Sequence, residues 1–169
     1  MDERLISEAM TGSRRAFAEL YDSCRDRLYR YALYRLGNPE DAEDAVSECV
    51  LAAWKSIGSL RSSKAFSSWI FRILSNCCAS RIKGTIASRE NFEKICREDI
   101  SLTGDASPSL AIELSEALAE LGSDEREIVL LSVIGGLNSK EIAEHTGLPA
   151  GTVRSKLSRS LAKMREFLS

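Results

Sequence analysis

Between Gly151 and Phe167 the chain carries Arg154, Lys156, Arg159, Lys163 and Arg165, and the only acid there is Glu166. Guanidinium forks grip phosphates or pair bidentately with guanine edges, and the interleaved Ser155 and Ser158 hydroxyls reach bases or backbone oxygens. A solvated helix ordinarily mixes its signs, so a cation-rich, acid-poor stretch suits a polyanion. A second such stretch lies upstream: between Glu48 and Glu90 there is no acid, whereas Lys55, Arg61, Lys64, Arg72, Arg81, Lys83 and Arg89 all occur. Acids gather elsewhere. Asp41, Asp44 and Glu48 recur at i, i+3 and i+7, with Glu43 beside them, which places them on one helix face. The net charge of −2 therefore conceals two separated basic regions and an acidic one.

Other chemistries find little material. Cys24, Cys49, Cys77, Cys78 and Cys96 have no C-x-x-C spacing, and His145 is the sole histidine, so neither a zinc site nor any other metal or cofactor is expected. Cys24 and Cys49 fall at apolar helical positions, where reduced cysteine acts as a small hydrophobe. A thiol enzyme built on Cys77-Cys78 would lack a positioned base, a paired carboxylate and a phosphate-cradling glycine loop, and no enzymatic activity is expected.

Helices must position these groups. Ser13 reads as an N-cap, and apolar residues recur at Phe17, Leu20, Tyr21, Cys24, Leu28, Tyr31 and Ala32 until Leu36-Gly37 ends the run. Asn38-Pro39 restarts a helix that reaches about Ile57, with Glu40 and Asp41 favouring its N-terminal dipole. A third helix is expected from about Ser67 to Lys83. Residues 84–107 are polar and weakly periodic, which predicts a flexible linker, with a short helix around Asn91–Arg97. Helices resume over Leu110–Leu121 and Asp124–Ile134. With 44% hydrophobic residues the chain can fill one or two small cores. No apolar run approaches the ~20 residues of a membrane helix, and MDERLISEAM is not a signal segment, so a cytoplasmic location without stable membrane insertion is expected.

After Gly135-Gly136, Asn138 and Glu141 form an Asn-x-x-Glu capping box, predicting a helix from Ser139 to Thr146. Gly147-Leu148-Pro149 turns the chain into a longer helix from about Ala150. A short helix, a glycine turn and a second helix make a helix-turn-helix. On a wheel of about 100° per residue, Val153, Leu157, Leu161, Met164 and Leu168 form an apolar stripe, and Arg154, Ser155, Ser158 and Arg159 fall opposite it. That arrangement suits a major groove better than mere solvation.

The segment GLNSKEIAEHTGLPAGTVRSKLSRSLAKMREFL resembles the region 4 helix-turn-helix of sigma-70-type factors, especially the extracytoplasmic-function (ECF) sigma factors. AFAELYDSCRDRLYRYALYRLGNPEDAEDAVSECVLAAW resembles their regions 2.1 and 2.2, and SLRSSKAFSSWIFRILSN their regions 2.3 and 2.4. The resemblance implies an all-α protein of two small helical domains: residues 1–83 binding core RNA polymerase and the −10 element, a linker over 84–107, and residues 108–169 binding the −35 element. It implies a sigma factor that directs core RNA polymerase to promoter DNA and promotes melting, with an anti-sigma factor as a further partner. By the same resemblance, −35 contact belongs to Thr152, Arg154, Ser155, Lys156, Ser158 and Arg159, and −10 contact to Leu60, Arg61, Lys64, Phe66, Trp69, Arg72 and Asn76. Polymerase docking belongs to Asp41, Glu43, Asp44 and Glu48. Trp69, Phe66 and Phe71 equally fit core positions, Trp69 above all, and the acidic face also fits an ordinary wet helix. The chain departs from the family pattern at Leu60, where Phe is frequent, at Ser67-Ser68, in place of Arg-Thr, and at Ser80, in place of an acid. A dimeric operator-binding regulator is the rival reading; it would leave the acidic face and the 55–83 stretch without a use.

Overall fold

The computed structural model describes residues 1–82 and 108–169. The expected linker, its short helix around residues 91–97 and Cys96 lie outside those residues. The described chain is helical throughout its regular elements: α1 Glu3–Met10, α2 Arg14–Leu36, α3 Pro39–Ser56, α4 Phe66–Ile82, α5 Pro108–Ala119, α6 Ser123–Val133, α7 Ser139–Thr146 and α8 Ala150–Leu168. Two short 3-10 turns, Ile57–Ser59 and Ser63–Ala65, join α3 to α4.

The punctuation read from the residues does the expected work. Ser13 Oγ accepts from Ala16 N at 3.2 Å, and Gly37 ends α2 at φ 69°, its N–H donating to Leu33 O at 2.8 Å. Asn38 Oδ1 accepts from Glu40 N and Asp41 N, and Pro39 occupies the first turn, where its missing N–H costs nothing. One helix was not expected. Asp2 caps α1 through Arg4 N at 2.9 Å, and Ile6 and Ala9 are buried against α2 and the first 3-10 turn.

In the N-terminal half, α3 lies against both α2 and α4. Its inner face is small: Ala42, Ala45, Cys49 and Ala53 are each fully buried. Short side chains let the helix axes approach and leave room for the large residues opposite, Leu28 and Tyr31 of α2 and Ile70, Phe71 and Leu74 of α4. Tyr31 and Phe71 meet edge to face at 5.7 Å between centroids. In the C-terminal half α8 packs on α5, α6 and α7, burying Val153, Ser160 and Met164 with Ile128, Leu131 and Ile142. The apolar stripe expected on α8 is only partly covered, since Leu161 and Leu168 remain exposed with Phe167.

The two halves touch. Arg27 of α2 donates through Nε to Ile134 O at 3.1 Å and through Nη2 to Gly135 O at 2.9 Å, while its guanidinium lies 5.4 Å from the Phe71 ring centroid. Helix α6 thereby rests on α2, and the carbonyls of the turn that follows it are satisfied by a cation from the other half.

Candidate nucleic-acid interface

Helix α7 begins with the expected reciprocal cap: Asn138 Oδ1 accepts from Lys140 N and Glu141 N at 3.0 Å each, and Glu141 Oε2 accepts from Asn138 N at 2.8 Å. It ends at Gly147, φ 76°, whose N–H donates to Ala143 O at 2.9 Å. Buried Ile142 and Val153 hold α7 and α8 at the angle this turn sets. Arg154, Ser155, Ser158 and Arg159 are consequently exposed together, and Thr152 and Lys156 sit half-buried at the edge of that face. Ser155 Oγ donates to Gly151 O and Arg159 Nε donates to Ser155 O, so the helix's own carbonyls hold these groups in place. Lys163 serves elsewhere. Its Nζ donates to Glu120 O at 2.6 Å, and Arg126 donates to Leu118, Ala119 and Leu121 O; together they satisfy the orphan carbonyls after α5.

The residues expected at the upstream strand-binding face separate into two groups. Arg61, Lys64 and Asn76 are exposed, and Arg72 is half-exposed. Leu60 and Phe66 are buried in the core, where Phe66 packs on the half-buried Trp69 at 5.9 Å between centroids. Neither Leu60 nor Phe66 presents a stacking surface as it sits. The reason is local: the first 3-10 turn packs against α1 and α3 and the second against α1 and α4, which turns both side chains inward.

The acids of α3 lie on one face, as their spacing requires, but that face already holds a cation. Arg81 Nη1 is 3.7 Å from both Asp41 Oδ1 and Asp44 Oδ2, and Nη2 donates to Glu48 Oε1. Asp41 is the least open of the three, with its side chain 28% exposed against 67% for Asp44 and 53% for Glu48. Glu43 is exposed. Sequence reasoning placed Arg81 in the basic stretch and missed this pairing, because α4 and α3 are brought together only by their packing.

Sequence reasoning also missed a polar seam between the halves. Glu127 of α6 accepts from Ser75 of α4 through Oε1, and the same oxygen lies 3.1 Å from His145 Nε2. That nitrogen is 2.9 Å from Ser75 Oγ. The other Glu127 oxygen is 3.5 Å from Arg35 Nη2, and Arg35 Nη1 donates to Ser123 Oγ at 3.3 Å. Burial pushes the Glu127 carboxyl up, but the His145 and Ser75 hydrogen bonds and the Arg35 and His145 charges outweigh it and hold it below its ordinary value. Only the residue types, a lone His and an acid in the C-terminal half and an arginine and a serine in the other, could have hinted at this seam. At its edge Arg72 Nη2 reaches Glu144 Oε2 at 3.6 Å.

Among the described residues the cysteines, Cys24, Cys49, Cys77 and Cys78, are free thiols on α2, α3 and α4. Burial pushes Cys24 up to about 11 and Cys78 up to about 12, and raises Cys49 and Cys77 as well, so thiolate is disfavoured at each. Among the described residues no cluster of His, Cys, Asp and Glu could hold a metal ion, and no helix is long and apolar enough to cross a membrane.

Comparison with known proteins follows the same division. The chain matches the family models for sigma-70 region 2 over residues 20–85 and sigma-70 region 4 over residues 111–164. It is 28% identical to the ECF RNA polymerase sigma factor SigW of Bacillus subtilis (strain 168), covering 99% of this chain and 97% of that one. It is 30% identical to the ECF RNA polymerase sigma factor SigM of Mycobacterium tuberculosis (strain ATCC 25618 / H37Rv), covering 99% and 84%. Among solved structures, CnrH in complex with the cytosolic domain of CnrY superposes with a TM-score of 0.72 at 26% identity over 99% of this chain and 96% of that one. The sigma factor RpoE in complex with the anti-sigma factor NepR from Bartonella quintana has a TM-score of 0.70 at 23% identity over 90% and 96%, a likeness of fold.

Proposed function

The chain belongs to the ECF subfamily of sigma-70-type RNA polymerase sigma factors, and we infer from that membership that it binds core RNA polymerase, directs it to promoters and promotes duplex opening. Its partners are core RNA polymerase, promoter DNA and an anti-sigma factor, and its place of action is the cytoplasm. The observation that carries the reading is the presence of both family regions, in order, on one chain, with an exposed cation–hydroxyl face on α8 and an exposed acidic face on α3.

Each face has a physical role in this reading. Residues 108–169 present Arg154, Ser155, Ser158 and Arg159 to the −35 major groove, with Thr152 and Lys156 against the flanking phosphates. Residues 1–83 carry polymerase docking on Glu43, Asp44 and Glu48, with Asp41 steadied by Arg81, and meet the −10 strand with Arg61, Lys64, Arg72 and Asn76. Phe66 and Leu60 support that surface from below, and Trp69 lies at its margin. Residues 84–107 join the two domains. The protein does no bond-making chemistry itself; the polymerase supplies it.

Reconstitution with core RNA polymerase, followed by selection of the promoter sequences it transcribes, tests the function. Co-elution with core enzyme and enrichment of a paired −35/−10 motif are expected. A folded protein that ignores the polymerase and binds a palindromic duplex as a dimer would instead establish the operator-binding reading.

A further inference from the structure

Three arginines from separate helices line one cleft of about 260 Å³: Arg35 near the end of α2, Arg81 near the end of α4 and Arg126 in the first turn of α6. Ser123, where α6 begins, adds a hydroxyl to the same lining. Among the described residues Asp41 is the one carboxylate of that lining, and Arg81 already engages it at 3.7 Å. Arg126 has no carboxylate partner among the described residues; its donors go to the carbonyls of Leu118, Ala119 and Leu121. Burial, and after it the neighbouring Arg35 charge, hold Arg126 below its ordinary value, so two guanidinium groups crowd each other here. The Arg35 side chain is only 7% exposed, and its two Nη groups reach Ser123 and Glu127. Its Nε, like that of Arg81, is shut off from solvent with no hydrogen-bond acceptor among the described residues. Buried N–H donors are nearly always satisfied, so two open ones on charged groups mark a place for an acceptor.

We propose that this cleft binds a small phosphate anion of more than one charge, with diphosphate as the type, seated between Arg35 and Arg126 with Arg81 at its rim. The donor set selects that chemistry. Guanidinium forks arriving from three helices suit an oxyanion whose acceptors point in several directions, whereas a planar carboxylate is met by a single fork. The volume falls below the ~300–1,000 Å³ of sites that take drug-sized ligands, which favours a phosphate group over a whole nucleotide. A phosphodiester of a nucleic-acid backbone carries one charge and matches fewer of the cations. The anion also offsets the Arg35–Arg126 repulsion, which neither the Glu127 nor the Asp41 carboxylate does for Arg126. The site stands apart from the promoter assignments: Arg35, Arg81, Ser123 and Arg126 belong to neither the −35 nor the −10 group, and Asp41 alone is shared with the polymerase-docking face.

The test titrates the full chain with sodium pyrophosphate in a calorimeter, at an ionic strength matched with sodium chloride so that screening stays constant. One saturable site is expected, with inorganic phosphate weaker and dimethyl phosphate, a singly charged diester, weaker still. Arg126→Gln and Arg81→Gln, on two different helices, should each weaken pyrophosphate binding about tenfold or more, as the loss of a charge-assisted hydrogen bond implies. Arg14→Ala removes an equal charge from the exposed start of α2 and should leave the affinity unchanged. Circular dichroism checks the fold of each variant. The parent chain supplies a readout that needs no substitution: pyrophosphate should shift the backbone amide resonances of Arg35, Ser123 and Arg126. Shifts confined to other parts of the chain overturn the proposal, as does parental affinity in both folded glutamine variants or an equal loss in Arg14→Ala. Dimethyl phosphate binding as tightly as pyrophosphate would make the cleft a contact for a nucleic-acid backbone and overturn it too. Co-elution with core polymerase is untouched by any of these results, so failure here leaves the sigma-factor reading standing.

Discussion

Among the described residues Arg159 engages its Nε on Ser155 O at 3.3 Å, and the side chain is exposed on the face assigned to the groove. Arg159→Ala is expected to weaken promoter recognition by about 1–3 kcal/mol if its fork reads a base, with relaxed preference at that base pair. Binding measured against a panel of −35 variants checks this, and uniform affinity across the panel would make Arg159 a phosphate contact. The acidic face can now be dissected more finely than its spacing allowed. Asp44→Lys with Glu48→Lys should reduce association with core polymerase in a pull-down while leaving helicity unchanged, since both side chains are more than half exposed. Asp44 and Glu48 also face Arg81, so helicity is read beside association; Asp41, with its side chain only 28% exposed, is the poorest choice, because its lysine variant would be held against that guanidinium and disturb the α3–α4 contact. The cations of α8 were legible because their neighbours are local, one or two turns away. The partners of Lys163 and Arg81 were not, because they lie 43 and 33 residues distant.

Among the elements, those with strong caps announced themselves. Asn138, Asn38 and Ser13 each accept from the first-turn N–H groups that a helix leaves orphaned, and a side chain with that ability can be read from one position. Helix α1 offered an Asp cap but only eight residues, too short to be stable without the packing of Ile6 and Ala9 beneath it. The Gly135-Gly136 turn was visible as a breaker, yet its tightness is a tertiary fact. A Cβ added at Gly135 would stand 2.5 Å from Leu131 O and 3.0 Å from Leu137 Cδ1. Gly135→Ala should therefore cost about 1–3 kcal/mol, the usual penalty of forcing an extra carbon into a filled site, as read from urea unfolding. An unchanged midpoint would mean that the turn relaxes freely.

For the whole molecule, the contact between the halves carries a pH signature. Glu127 titrates below its ordinary value in the folded chain, so its stabilising contribution is complete above the unfolded carboxylate range and is lost as pH falls through the lower, folded value. The parent chain should lose stability on acidification through that window. Glu127→Gln should be less stable at neutral pH and should show a flatter acid limb in thermal melts taken across it. Equal acid limbs in the two proteins would assign the loss to other carboxylates. Arg35, with its side chain only 7% exposed, makes the neutral-pH cost larger, because removing the Glu127 charge leaves that buried guanidinium without its ion partner.

Helical periodicity, caps and glycine turns are local, and so are runs of like charge; the residues alone were enough to establish an all-α chain with a helix-turn-helix near its end and surfaces of opposite sign. Which of those charges face outward is a different matter. The burial of Phe66 and Leu60, the Arg81 clasp on three carboxylates and the Ser75–Glu127–His145 seam all join groups from separate helices. Their juxtaposition depends on how α3 packs on α4 and how α6 and α7 meet the N-terminal half, and no spacing along the chain encodes a distance between helices.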